Sequence, residues 1–124
     1  MLGTSDAFAT VAVKDLKRAA AFYEGKVGLE KQPSSEQMVL VYGSGASKLL
    51  VYQSQFAGTN QATTVTWVVD DVDAEVRELK GKGVTFERYD FPDVKLEGDV
   101  HVSGNRRSAW FKDPDGNILA IASK

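Results

Sequence analysis

His101 is the only histidine of the 124-residue chain, and it sits in the stretch "EGDVHVSGNRR", Glu97 to Arg107. Imidazole is the side chain best suited to moving protons near neutral pH. Asp99 and Glu97, just before it, are carboxylates that could act as general bases if they pointed into a pocket. Alone and flanked by valines, His101 reads first as a surface or structural residue and only then as a weak catalytic candidate. The serines and aspartates are too many for any one of them to be paired with it as a triad. Arg106 and Arg107 read as solvated charges at a strand end rather than an anion clamp. "GSG", Gly43 to Gly45, lacks the Lys-Ser/Thr ending and following helix of a phosphate loop. With no cysteine, the chain has no disulfide, thiol nucleophile or thiolate metal site.

Composition narrows the rest. Apolar residues make up 43% and charged residues 26%, the profile of one globular domain over 1–124. The net charge of −2 is spread over mixed signs, without the basic stripe of a nucleic-acid binder. No apolar run approaches bilayer-spanning length, and the first residues lack the basic segment of a signal peptide. The expectation is a cytoplasmic domain with no nucleic-acid or membrane partner.

The elements that must position any site are legible as a repeat. "VAVKDLKRAAAFYEGKVGLEK" (Val11 to Lys31) and "WVVDDVDAEVRELKGKGVTFE" (Trp67 to Glu87) each run strand, Asp, amphipathic stretch, Gly, strand. Asp15 and Asp71 suit helix N-caps. Leu16, Ala19, Ala20 and Tyr23 recur at helical spacing, as do Val72, Val76 and Leu79. Gly28 and Gly83 suit the left-handed position after a helix. Each unit ends in a hairpin, through "GSGAS" into "SKLLVY" and through "DPDGN" into "ILAIA". The turn chemistry of Asp113-Pro114-Asp115-Gly116-Asn117 is strong. Two βαβββ modules, about 1–54 and 60–124, are therefore expected, joined by the polar connector 53–62. Tyr89 to Asn105 reads as the longest irregular loop.

These stretches, completed by "AWFKDPDGNILAI", resemble the vicinal oxygen chelate superfamily, which includes glyoxalases, bleomycin resistance proteins and extradiol dioxygenases. The resemblance implies an α+β fold whose paired modules form a curved mixed sheet around a central cavity. It also implies four metal-ligand positions, one per strand, which match Phe8, Val51, Thr64 and Ala120. None of these is an imidazole or carboxylate donor. The expectation is that there is no metal and no cofactor, and that glyoxalase or dioxygenase chemistry, which depends on the ion, is absent.

Strand alternation then assigns the cavity wall. Thr10 and Ala12 share the face of Phe8; Thr66 and Val68 share that of Thr64. Leu49 and Val51 face inward in the first hairpin with Val41 as hairpin partner, and Ile118, Ala120 and Ala122 do so in the second. Trp110 matches a position that usually lines the pocket with an aromatic ring, whereas Trp67 falls on the core side. Phe8 either plugs the vacated site or touches ligand, and the threonines could be there for strand propensity alone. "FAGTN", Phe56 to Asn60, either covers the pocket mouth or merely joins the modules. The expected ligand-binding set is Phe8, Thr10, Val41, Val51, Thr64, Thr66, Trp110 and Ala120. The resulting reading is a metal-free homodimer that sequesters a small, partly aromatic or apolar molecule. The alternative is a metal-independent isomerase or lyase working through His101, Asp99 or Glu97.

Overall fold

The repeat is visible in the computed structural model, which describes residues 1–124. Strand β1 (Ala9–Val13) leads to helix α1 (Leu16–Gly25), then β2 (Glu30–Gln32), β3 (Val39–Ser44) and β4 (Ser47–Gln53). The second unit runs β5 (Thr63–Val69), α2 (Val72–Gly81), β6 (Phe86–Glu87), β7 (Lys95–Glu97), β8 (Val100–Ser103), β9 (Arg106–Lys112) and β10 (Ile118–Ser123). The first sheet has the order β1-β4-β3-β2; the second has β5-β10-β9-β8-β7, with β6 pairing β9. In each, the opening strand lies parallel to the last strand of its unit, β1 on β4 and β5 on β10. The architecture is α+β.

Both helices begin as their sequences dictate. Asp15 accepts the Arg18 N–H at 3.0 Å and Asp71 accepts the Ala74 N–H at 3.0 Å, each satisfying a first-turn donor. Each helix is followed by a left-handed glycine, Gly28 (φ 83°) and Gly83 (φ 89°). Ala19, Phe22 and Tyr23 of α1 and Val72, Val76 and Leu79 of α2 are buried. They join Val11, Val13, Leu49, Val51, Phe111, Leu119 and Ile121 in one core shared by both units. Phe111 is its hub, with its ring centroid 6.2 Å from that of Phe22, 6.3 Å from Trp67 and 5.4 Å from Phe86.

The "DPDGN" turn also joins the two units. Asp113, 5% exposed, accepts the Tyr23 hydroxyl at 2.8 Å and the Asn117 side-chain amide at 2.8 Å. That amide also donates to the Ala12 carbonyl at 2.7 Å, and Asp115 accepts the Lys14 N–H at 3.1 Å. The connector docks on the same turn. Ala57 is buried, and a Cβ on Gly58 (φ +74°) would overlap the Asp115 carbonyl oxygen. Of the two readings of "FAGTN", this placement is the joining one.

The segment 89–105 departs from its sequence reading. Only its first part is irregular; the rest is the β7–β8 hairpin, turning at Gly98 and extending the second sheet from β9. Since β6 and β8 share one edge of β9, the chain between them must leave the sheet and return. That excursion carries Tyr89 and Phe91.

Candidate functional site

Each sheet has one helix-covered face and one open face. In β5, Val65 is buried and Thr66 and Val68 are exposed; in β1, Val11 and Val13 are buried and Thr10 is exposed. Period-two alternation makes the open faces predictable wherever register is fixed.

Register corrects one expected site residue. Val51 pairs with Val11 and is 0% exposed, so it belongs to the core. Leu50 pairs with Thr10 on one side and Val41 on the other, and this places it on the open face in Val51's stead. The structural equivalent of Ala120, which pairs with Thr66, is therefore Leu50. The run Leu49-Leu50-Val51 is apolar at every position, so alternation alone does not specify which residue turns inward. Phe8 does not plug a site: it is 39% exposed, with Lys48 Nζ 5.7 Å from its ring centroid. Thr10, Val41, Leu50 and Tyr52 complete this half.

On the second sheet, Trp110 pairs with Ala120, and Ala120 with Thr66, so three expected site residues lie side by side. A β-bulge shifts register in β5, with Thr63 opposite Ile118 and Val65 opposite Leu119. It leaves Thr64 unpaired in the ladder and brings Thr63 to the indole, whose Nε1–H donates to Thr63 Oγ1 at 3.1 Å. Thr64 and Thr66 line a groove of about 400 Å³ along the β5 edge, with Ala9, Lys48 and Leu49 opposite. Trp110, Ala120 and Thr66 lie on the second sheet and Thr10, Val41 and Leu50 on the first, so the chain carries two half-sites.

Of the two non-catalytic roles read for His101, surface or structural, the structure shows the second. The residue is 3% exposed, pairs with Ser108 in the ladder, and packs edge-on against Trp110 with centroids 4.8 Å apart at 89°. Tyr89 and Phe91 close the group: Tyr89 lies 5.5 Å and Phe91 5.8 Å from Trp110, while Phe91 lies 6.0 Å from His101. Four rings thus form one wall, in geometries favoured by aromatic pairs. Beside it lies a hollow of about 430 Å³ lined by Gln61, Thr63, Tyr89, Phe91, Trp110 and Ile118. Sequence reading missed Tyr89 and Phe91, although two aromatics spaced by one residue in an excursion loop were a usable signal.

The carboxylates near His101 in sequence face away from it. Lys80 donates to Asp99 at 2.7 Å and Arg88 at 3.0 Å; the Lys80 bond, helped by Arg88, holds the Asp99 carboxyl below its usual range despite desolvation. Glu97 bonds Arg107, which also forks onto Asp73 of α2 at 2.8 and 3.0 Å. All of these belong to the helix-covered side.

The four positions that the resemblance assigns to metal ligands, with Leu50 in place of Val51, do not suit a metal. Phe8, Leu50, Thr64 and Ala120 offer at most one neutral hydroxyl between them, and a stable cation site needs several imidazole or carboxylate donors. Nowhere else do three His, Cys, Asp or Glu side chains converge.

Residues 6–121 match the family model of the Glyoxalase/Bleomycin resistance protein/Dioxygenase superfamily. The fold is similar to that of a glyoxalase family protein from Enterococcus faecalis, with TM-score 0.73 and 16% identity over 98% of this chain and 99% of that one. It is also similar to lactoylglutathione lyase from Agrobacterium tumefaciens (TM-score 0.72, 19% identity, 96% and 93% covered). A third likeness is to the fosfomycin resistance protein FosX from Listeria monocytogenes (TM-score 0.72, 17% identity, 98% and 93% covered). At such identities these likenesses speak for the fold alone. No curated protein matches the chain in sequence.

Proposed function

The chain belongs to the Glyoxalase/Bleomycin resistance protein/Dioxygenase superfamily, and on that premise we propose that it is a small-molecule binding protein that works without a metal. Its ligand is a small, partly aromatic or apolar molecule held against the open face of the second sheet. The observation that carries this reading is the ring wall of Tyr89, Phe91, His101 and Trp110 beside a hollow of about 430 Å³. Aromatic walls with a few placed polar groups are what small-molecule pockets use. Family membership and fold likeness do not carry lactoylglutathione lysis or fosfomycin resistance to this chain, because function resides in the site.

Two half-sites on separate sheets favour a homodimer in which a second copy brings its own open face to the first. Phe8, Tyr52, Val68, Phe91 and Leu96 are 39–58% exposed, a large apolar display for an isolated chain. Sedimentation giving only the monomer mass across micromolar concentrations would remove this part of the proposal.

The competing reading, a metal-independent acid–base enzyme, needs a base in the pocket. Asp99 and Glu97 are ion-paired on the other side of the sheet. His101 faces the right way, but its Nε2 lone pair already accepts the Tyr89 N–H at 2.9 Å. These facts weigh toward binding. Native mass spectrometry of the purified protein tests the choice: a retained small aromatic molecule supports it, and a chain that carries none and binds no aromatic probe contradicts it.

A further inference from the structure

Only two buried side-chain polar atoms lack a hydrogen-bond partner, Thr64 Oγ1 and His101 Nδ1. A hydroxyl can rotate, but the imidazole is fixed: Nε2 accepts from Tyr89, so the neutral ring carries its proton on Nδ1. Nδ1–H is thus a buried donor with no partner among the protein's own groups, and a buried donor left unpaired is costly. His101 lines a second, smaller hollow of about 190 Å³, together with Phe91, Ser103, Arg106, Ser108 and Trp110. The His101 ring forms part of that lining, and Tyr89, which holds its Nε2, does not.

The charges around this hollow are one-sided. Arg106 makes no ion pair, unlike its neighbour Arg107, which is held by Asp73 and Glu97. No carboxylate lines the hollow, although Asp90 and Asp93 lie on the same loop as Phe91. A neutral N–H, an unpaired guanidinium and two serine hydroxyls between two aromatic rings make a place for a planar anionic acceptor. We propose that this hollow is a carboxylate subsite. It takes the carboxylate of an aryl acid whose ring lies against Trp110, with His101 Nδ1–H as donor and Arg106 as countercharge. Phe91, 42% exposed on its loop, is the outer wall of the hollow. The inference rests on the aromatic-ligand reading above and adds the acid class of that ligand.

The test uses the intact ¹⁵N-labelled protein with three probes: benzoate, benzyl alcohol and inorganic phosphate. Benzoate is expected to shift both the His101 Nδ1–H and the Trp110 indole signals. It should bind about tenfold more tightly than benzyl alcohol, the advantage expected of a charge-assisted hydrogen bond. Arg106→Gln, an exposed change that leaves the core untouched, should erase that preference while benzyl alcohol still binds. His101→Phe should do the same by removing the donor and keeping a ring. Equal binding of benzoate and benzyl alcohol at Trp110 would overturn the subsite and leave the aromatic-ligand reading standing. So would a wild-type preference in Arg106→Gln. Phosphate displacing benzoate at comparable concentration would overturn the aryl-acid assignment. If neither aromatic probe moves Trp110, both proposals fall.

Discussion

The Tyr89 amide N–H donates to Nε2 of His101 at 2.9 Å, and the two rings lie 5.9 Å apart. This bond ties the excursion loop to the sheet and decides the chemistry left to the histidine. A base acting through Nε2 would have to break it. Of the two roles read from sequence, surface or structural, the structure shows the structural one, with His101 as the acceptor that holds the loop. His101→Ala should therefore destabilise the protein by about 2–3 kcal/mol, the sum of an orphaned backbone donor and a cavity among aromatic rings. Urea unfolding checks this; a change below about 0.5 kcal/mol, typical of surface sites, would contradict it.

Tyr23 predicts an alkaline weakness. Burial first, and then the neighbouring Asp113 that accepts its hydroxyl, push the Tyr23 phenol far above its ordinary value. Burial, with the Glu24 carboxylate accepting at 2.8 Å, raises Tyr42 as well. In the unfolded chain both phenols ionise near pH 10. Above that pH the unfolded state has given up protons that the folded state retains, so stability falls as pH rises. Their contribution is complete below about pH 10 and is lost beyond it. Tyr23→Phe should cost about 2 kcal/mol at pH 7, through the hydrogen bond to a charged group. It should also flatten the decline measured by urea unfolding between neutral and strongly alkaline pH. An unchanged alkaline slope would contradict the assignment.

Gly58 tests whether the connector is part of the fold. Its φ of +74° and its contact with the Asp115 carbonyl leave no room for a methyl group. Gly58→Ala should destabilise by about 2–4 kcal/mol, combining left-handed strain with overpacking. A variant of wild-type stability would mean that the connector does not dock on the turn.

Legibility in the sequence followed the strength of local constraint. Asp15 and Asp71 marked both helices because capping is a short-range signal. "TTVTWVV" alternates cleanly enough to place Thr66 and Val68 opposite Val65 and Trp67. The sequence "LLV" does not alternate, and Val51 was misplaced by one residue. His101 was illegible for another reason. Its burial depends on the loop 88–94 folding back over β8 and β9, a long-range event that no local pattern encodes. The same holds for Trp110: its side of the sheet was readable, but its indole N–H proved to be engaged by Thr63 across a bulge.

The account stands on Trp110 as the ligand contact, and the chain's two tryptophans make this directly measurable. In Trp67→Phe the only indole is Trp110; in Trp110→Phe it is Trp67, which stacks on Phe111 in the core and donates to Ser44 at 2.9 Å. Each protein is titrated with benzoate and benzyl alcohol while indole emission is followed. The account predicts a saturable change in Trp67→Phe and little change in Trp110→Phe, and, with binding read by calorimetry, Trp110→Ala weakened by about tenfold or more, as for a central aromatic anchor. A response confined to Trp67, with Trp110→Ala binding normally, would contradict it.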